Sequence, residues 1–421
     1  MQPLKIRLPG DFYDSQIYDK YLHLWCMDGS ILTLDWQKLI DKIKIQVDQK
    51  LESTLQLILE DGKDLYSNHL MKNTEIHNLI KEQLQALSQC RLIGLTEKDI
   101  KNCESKQRDN QFPFPHSDVV VHDKNFYVAS QEGIWIKTPR NEKPEILLDT
   151  PAFSIDISNL RLAIASGDEG LFYHRLQNDD FRNEPSQLSR EDCNLTRWLY
   201  PNIFMSSYTN MGSLANFERL KQEEKKKLKS ERYNLPKGSS QGTTLAVLDR
   251  PPQESNSQQN SSVDEIKFLG MIPSREIFNM STLELESKQS KVQFVWGGED
   301  KIYWAKEKVI EVMNYTSKKQ KSLGRIPIEN LTNEIISADS SYFGVVLEMD
   351  ESLLVIDSLS QSHFIQNEPV NWRVFPKSIN YINHLHIIYE DYMDIYIFTH
   401  DYFVNQKDKK LGISFSNSIL G

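Results

Sequence analysis

The sequence predicts an all-β fold assembled from one repeated hairpin unit, and three observations predict it. A short apolar or aromatic run, a small or acidic turn and a second alternating run recur along the chain. Most recurrences are separated by a similar interval, as in a repeat architecture. The bulk composition is that of an ordinary folded protein: 39% hydrophobic, 10% aromatic and 26% charged over 421 residues. That composition excludes wholesale disorder, collagen-like repetition and a long coiled coil.

The instances, in chain order, are YLHLWCMDGSILTL (21–34), FYVASQEGIWIKT (126–138), LAIASGDEGLFYHRL (162–176), IFMSSYTNMGSLANF (203–217), VQFVWGGEDKIYWA (292–305), YFGVVLEMDESLLVID (342–357) and LHIIYEDYMDIYIF (385–398). Each reads as a β-hairpin. Period-two alternation sends every other side chain to one sheet face, and β-branched or aromatic residues suit a pleated surface. Turns such as Asp28-Gly29, Glu132-Gly133 and Glu169-Gly170 supply the backbone freedom of a tight reversal. With Gly29, Gly133, Gly170, Gly212, Asp300, Glu351 and Asp394 as reference points, four of the six separations lie near 40–50 residues, the length of a four-stranded propeller blade. The other two fit one blade plus an insertion. Further short runs at 118–122, 145–148, 153–157 and 334–338 stand where first and fourth strands belong. The expected fold is therefore a single seven-bladed β-propeller of four-stranded antiparallel blades, residues 1–421, with an α-helical insertion. A β-sandwich with a helical domain is the alternative, since sandwiches also show short strands with frequent turns.

On Ala129-Ser130-Gln131-Glu132-Gly133-Ile134-Trp135 and Ala165-Ser166-Gly167-Asp168-Glu169-Gly170-Leu171-Phe172, the chain resembles a propeller of the WD40-like or sensor-propeller kind. Asp35-Trp36 reverses the Trp-Asp dipeptide of WD40 repeats, and no Gly-His pair precedes the blades. The opening segment, residues 4–8, is expected to complete the last blade beside 412–416 and so close the ring with both chain ends.

Two insertions interrupt the repeat. In the first, 37–115, the residues Ile76, Leu79, Ile80, Leu84 and Leu87 fall on one stripe of a helix. Thr96 to Asp99 resembles a capping box. Residues 43–59 are ambiguous, because Ile43, Ile45 and Val47 alternate like a strand while Val47, Leu51, Leu55 and Ile58 keep helical spacing. Phe112-Pro113-Phe114-Pro115 imposes an extended return. The second insertion, 218–264, holds the charged run KQEEKKKLKSER and a Ser/Gln/Asn-rich tract, which read as a mobile loop with at most one strand near 244–248.

No catalytic residue, no cofactor and no metal site is expected. His384 and His386 share one strand face but lack a recognised ligand spacing around them. Neither a Gly-x-Ser-x-Gly elbow nor a phosphate-cradling glycine string occurs. Ser166, Asp168 and Gly170 resemble the Asp-box turn of sialidase-type propellers, which stabilises a turn and does not catalyse. Activity of that type requires an arginine cluster, and Arg161, Arg175 and Arg197 are scattered in sequence. Trp25, Trp135, Trp296 and Trp304 are expected between blades, with a ligand platform at the axial channel as the other reading.

The net charge of −10 weighs against nucleic acid as the main ligand, because phosphate contacts dominate such binding. No apolar run is long enough to span a membrane, and no signal peptide is visible at the start. Four dispersed cysteines suit reduced thiols in the cytoplasm. Together these features point to a cytoplasmic, non-catalytic interaction scaffold or regulatory subunit with a protein partner. A propeller enzyme or small-ligand sensor using the axial channel, sialidase-like in the first instance, is the alternative. The candidate partner contacts are Ile76, Ile80, Leu84 and Leu87 on the helical stripe and Lys225, Lys226 and Lys227 in the charged loop.

Overall fold

In the computed structural model the described residues are 2–60, 73–90, 92–108, 111–141, 143–176, 185–207, 210–220, 266–278, 294–298, 300–306, 308–316, 319–328, 334–357, 360–378 and 380–398. Their strands form seven separate sheets. Blade 1 comprises Phe12–Tyr18, Tyr21–Cys26, Ile31–Asp35 and Glu104–Arg108, and blade 2 comprises Asp118–His122, Asn125–Ser130, Gly133–Lys137 and Glu145–Leu148. Blade 3 is Ser154–Ser158, Arg161–Ala165, Leu171–Arg175 and Ser186–Ser189; blade 4 is Leu195–Leu199, Asn202–Ser207, Asn210–Arg219 and Ile266–Pro273. Blade 5 runs through Phe294–Gly298, Lys301–Lys306, Val309–Thr316 and Lys319–Pro327, and blade 6 through Ile335–Ser341, Gly344–Met349, Ser352–Asp357 and Ser362–Gln366. Blade 7 takes Asn371–Val374, His384–Ile388 and Tyr392–Ile397 from the end of the described chain and Leu4–Pro9 from its beginning.

The first strand of each blade touches the first strands of both neighbours, all the way round from blade 1 to blade 7 and back to blade 1. These strands therefore line the axis, and the chain is a closed seven-bladed β-propeller. Closure is made by Leu4–Pro9, which pairs antiparallel with Tyr392–Ile397 from Leu4 opposite Ile397 to Pro9 opposite Tyr392. The proposed partner segment 412–416 lies outside the described residues, as does the expected strand at 244–248.

Antiparallel pairing within every blade fixes two faces. The turns between second and third strands, together with the blade-to-blade connections, lie on one face, here the turn face. The first-to-second and third-to-fourth connections lie on the other, the loop face. Three of the first-to-second turns are two-residue reversals with positive φ at both positions: Asp19–Lys20, Asp123–Lys124 and Asn159–Leu160, the geometry that matches strand twist in tight hairpins.

The segment 292–305 belongs elsewhere than the repeat spacing suggested. It supplies the first and second strands of blade 5, so Asp300 sits on the loop face and not at a second-to-third turn. Gly297 and Gly298 look like turn residues in sequence, yet they lie inside the innermost strand because the strands crowd at the axis. A Cβ on Gly298 would stand 1.9 Å from Ser340 Oγ of blade 6, and one on Gly297 would stand 2.7 Å from Phe204 Cβ of blade 4.

Between the third and outer strands of blade 1 the chain forms helices α1 (Trp36–Lys44), α2 (Glu52–Glu60), α3 (Thr74–Ser88) and α4 (Glu97–Cys103). Helix α1 starts where the third strand stops, because the Asp35 side chain accepts from the Lys38 N–H and caps it. Its buried residues Trp36, Leu39, Ile40 and Ile43 make one stripe. Ile45 ends that helix and is 78% exposed, so the alternation at 43–47 makes no strand. The outer strand of blade 1 is instead Glu104–Arg108, whose sequence ESKQR carries no apolar alternation. Thr96 and Asp99 form the expected capping box of α4. The helices share one apolar cluster with Leu4, Ile6 and Leu8 of the closing strand and with Leu22, Leu24 and Leu34 of blade 1. Ile93–Gly94 adds in parallel to the closing strand, so these helices are packed across the seam where the ring shuts.

Candidate functional site: the axial channel and the two faces

Polar residues on the first strands converge on the axis because side chains two apart share a strand face. Asp14, Asp118, Asp156, Asp339, Arg197 and Arg373 all come from these strands, and they are tied to one another across blades. The Arg373 guanidinium donates from Nε to Asp14 Oδ1 at 2.5 Å and from Nη2 to Asp14 Oδ2 at 2.6 Å. Its Nη2 also lies 3.0 Å from Asp118 Oδ1. Arg197 of blade 4 reaches Asp339 of blade 6 at 3.2–3.3 Å. The connection after Asn371–Val374 sends Lys377 across the channel to blade 3, where Nζ donates to both oxygens of Asp156 at 2.5 Å and to the Ile157 carbonyl at 3.1 Å.

The carboxylates also latch neighbouring blades through the backbone. Asp118 Oδ2 accepts from the Ile155 N–H at 3.0 Å, and Asp156 Oδ2 from the Trp198 N–H at 2.6 Å. Each of these is a charge-assisted bond between one blade and the next.

Electrostatics differ around this net. Burial would raise the Asp14 carboxyl, but the Arg373 charge and hydrogen bonds from His116 and Arg373 outweigh it and hold Asp14 at about 2. Burial dominates at Asp339, so its carboxyl is raised even with Arg197 beside it, and the nearby Asp156 charge adds to the rise. Burial likewise lowers the Lys377 ammonium against the opposing pull of Asp156. The net leaves a depression of about 680 Å³ at the axis, opening toward the loop face between Tyr18, His122, Lys377 and Tyr381.

The two faces carry different chemistry. On the turn face the second-to-third turns present exposed Asp28, Glu132, Asp168, Glu169, Asp350, Glu351, Glu390 and Asp391. Exposed apolar side chains stand among them: Met27 (45%), Phe153 (42%), Ile336 (47%) and Val370 (43%). Phe153 lies over the Asp-box-like turn, where a Cβ on Gly167 would be 2.7 Å from its ring. Connections on the loop face bear exposed Lys20, Lys124, Arg140 and Lys143.

The residues singled out from sequence are distributed as follows. Leu84 and Leu87 are each 1% exposed and belong to the seam cluster, with Ile80 packed against it and Ile76 half-buried. The stripe faces the propeller except at Leu79, which the helical spacing placed on it and which is 55% exposed. Lys225, Lys226 and Lys227 lie outside the described residues, as does most of 218–264. Arg161 and Arg175 face each other across the second and third strands of blade 3, whereas Arg197 sits in the channel, so the three form no cluster. His384 and His386 are buried among Trp36, Phe375 and Tyr381, with His386 Nδ1 3.1 Å from Ser15 Oγ. Trp25, Trp296 and Trp304 are buried in three separate clusters, and Trp135 packs against the one that holds Trp25.

The axial aspartates and their cations escaped sequence reasoning. Their signal is an Asp inside a short apolar or serine-rich strand, as in FYDSQ, SIDIS and SADSS. An ionisable residue there needs a buried partner, but the partner comes from another blade and sequence spacing does not name it.

No family model matches the chain, and no curated protein matches it. Among solved structures, the chain is similar to BBS1N in a complex with ARL6DN at 6% identity, with 96% of this chain and 100% of that chain covered and a TM-score of 0.46. A structure of S. cerevisiae Dbp5 bound to Nup159, Gle1, IP6 and ADP is similar at 8% identity over 93% of this chain and 90% of that one, with a TM-score of 0.45. The N-terminal domain of Nup159 is similar at 9% identity over 92% and 89%, with a TM-score of 0.42. The propeller assignment rests on this chain's own strand pairing.

Proposed function

We propose that the protein is a non-catalytic interaction scaffold, a cytosolic recruiting or regulatory subunit whose turn face receives a protein partner. The observation that carries this reading is the turn face itself, where exposed Met27, Phe153, Ile336 and Val370 stand among acidic turns. Exposed apolar side chains on one face offer anchors for association, and the acidic turns favour a partner with a basic contact surface. The tied channel supports the same reading, since Arg197, Arg373 and Lys377 already bind carboxylates of this chain. All four cysteines are free thiols, which accords with a reducing compartment.

A second reading, an enzyme or small-ligand sensor at the axial depression, draws on the raised Asp339 and lowered Lys377, because perturbed groups in a cleft often mark function. One experiment separates the two. Affinity capture from the native host, with cross-linking, is run on the wild-type chain, on Phe153→Ala/Asp168→Lys/Glu169→Lys and on Lys377→Met. The scaffold reading expects one protein to be cross-linked by the wild type and by Lys377→Met and lost with the face variant. Recovery of the wild type alone, or a partner lost only with Lys377→Met, overturns it.

A further inference from the structure

A crevice of about 630 Å³ lies between blades 1 and 2 on the loop face, separate from the axis and from the turn face. Its walls come from Tyr18, Tyr21 and His23 of blade 1, Lys106 on that blade's outer strand, and the 124–141 region of blade 2. Among the described lining residues Lys106, Lys124, Lys137 and Arg140 are cations and Asp19 is a carboxylate. Such a concentration of positive charge contrasts with a chain of net charge −10.

Lys106, Lys124 and Arg140 are exposed around the crevice, and Lys137 is buried in its wall. Lys137 is only 8% exposed, and its Nζ donates to the Asn141 carbonyl, which holds the ammonium at the wall. Thr138 is 7% exposed, and its hydroxyl accepts from the Asn141 N–H at 3.2 Å, shaping the loop that carries Arg140. His23 is 8% exposed, lies 3.0 Å from Thr33 Oγ1 through Nδ1, and packs edge-on against Phe126. Lys124 contacts Asp19 at 3.7 Å, both on exposed turns, a pair that solvent screens. Tyr21 is 40% exposed and adds an aromatic face beside His23.

We propose that this crevice binds a soluble phosphorylated small molecule that carries a planar ring. A fixed cation near a partly enclosed wall attracts an anion more strongly than one in open water. Arg140 offers the planar fork that matches phosphate oxygens, and the lysines act as point charges. Net positive lining suits a ligand with two or more negative charges. The volume exceeds what a bare phosphate needs and falls within the range of small-molecule pockets. Aromatic side chains at the wall supply a surface on which a ring can stack.

The test is calorimetric titration of the full chain at low salt with ADP, with inorganic pyrophosphate and with vesicles containing a phosphoinositide. ADP and pyrophosphate are expected to bind at one shared site, with ADP at least about tenfold tighter through stacking. Lys124→Glu/Arg140→Glu, both exposed positions, should weaken both ligands at least about tenfold while leaving the thermal midpoint unchanged. Tyr21→Ala should weaken ADP and spare pyrophosphate. The proposal is overturned if neither soluble ligand binds, if the double variant binds like the wild type, or if only the vesicles bind.

Discussion

The turn face and the loop face are made by the same seven blades, yet among the described residues the turn face is acidic, whereas on the loop face cations stand beside the exposed carboxylates Asp19 and Asp123. Acidic residues crowd the turn face together with Met27, Phe153, Ile336 and Val370, while Lys20, Lys124, Arg140 and Lys143 mark the connections of the loop face. Neither set is required by the hairpins themselves, since a tight reversal asks for glycine or a short polar residue and not for one charge sign. Between the faces the requirement is strict: the axial strands place buried charges that must be paired. The lesson is that this ring separates stability from surface chemistry by depth. Interior charges fasten the blades, and turn charges are free to differ.

That separation can be broken most severely at the axis. Asp14→Ala leaves the Arg373 guanidinium without its bidentate carboxylate, and loss of one partner from a buried pair typically costs about 3–5 kcal/mol. The denaturant midpoint should fall accordingly, with a uniform loss across all blades. A change of less than 1 kcal/mol would mean that the channel net does not fasten the ring. Next comes the seam. Leu84→Ala should cost about 2–5 kcal/mol because the side chain is buried in the cluster shared with the closing strand. Leu79→Ala, one turn away and 55% exposed, should stay within about 0.5 kcal/mol. Equal effects would remove the distinction between the two sides of α3.

Acid sharpens the comparison further. His384 is lowered to about 3 and His174 to about 4 by burial, below the ordinary value of about 6.5 that an unfolded chain shows. The unfolded state therefore binds protons first as pH falls below 6.5, and stability declines from there down toward the folded values. By pH 5 each such histidine should account for roughly 2 kcal/mol. Asp14 works in the opposite range, since its depressed carboxyl adds stability that is present above about 3.8 and lost only as pH falls toward 2. Urea midpoints at pH 7.5 and 5.0 check the assignment. His384→Phe should flatten part of the difference, and an unchanged pH dependence would place the sensitivity elsewhere. The smallest stability effect belongs to the turn face: Asp168→Lys/Glu169→Lys should shift it by less than about 0.5 kcal/mol. The same change should slow association with a basic peptide in low salt and leave the rate at high salt nearly unchanged.

Much of the ring was legible because half-buried hairpins leave a period-two signature, and short strands such as Asp118–His122 and Ser154–Ser158 matched their sequence runs. The blade 5 hairpin shows the limit of that signature: its reversal at Asp300 was legible, but it joins the first and second strands and not the second and third. Gly297-Gly298 leads into that reversal and also lets neighbouring blades approach closely, and sequence alone does not separate the two demands. The outer strand ESKQR was invisible for another reason, since edge strands need not bury an apolar face. Least legible was the axial net. Asp156 and Lys377 meet across 221 residues of chain, and no local rule joins them. The crevice between blades 1 and 2 was hidden in the same way, because Lys106 and Arg140 converge only when two blades are set side by side.

The strand Leu4–Pro9 has a temporal consequence. Its antiparallel mate Tyr392–Ile397 follows it in the chain by about 390 residues, so it is translated long before that mate. At bacterial-to-eukaryotic elongation speeds of about 5–20 residues per second, the early strand waits on the order of 20–80 s with an open hydrogen-bonding edge and the apolar side chains of Leu4, Ile6 and Leu8 uncovered. The nascent chain passes through that interval as an incomplete circle, the period in which chaperone attention and co-translational aggregation have their widest window.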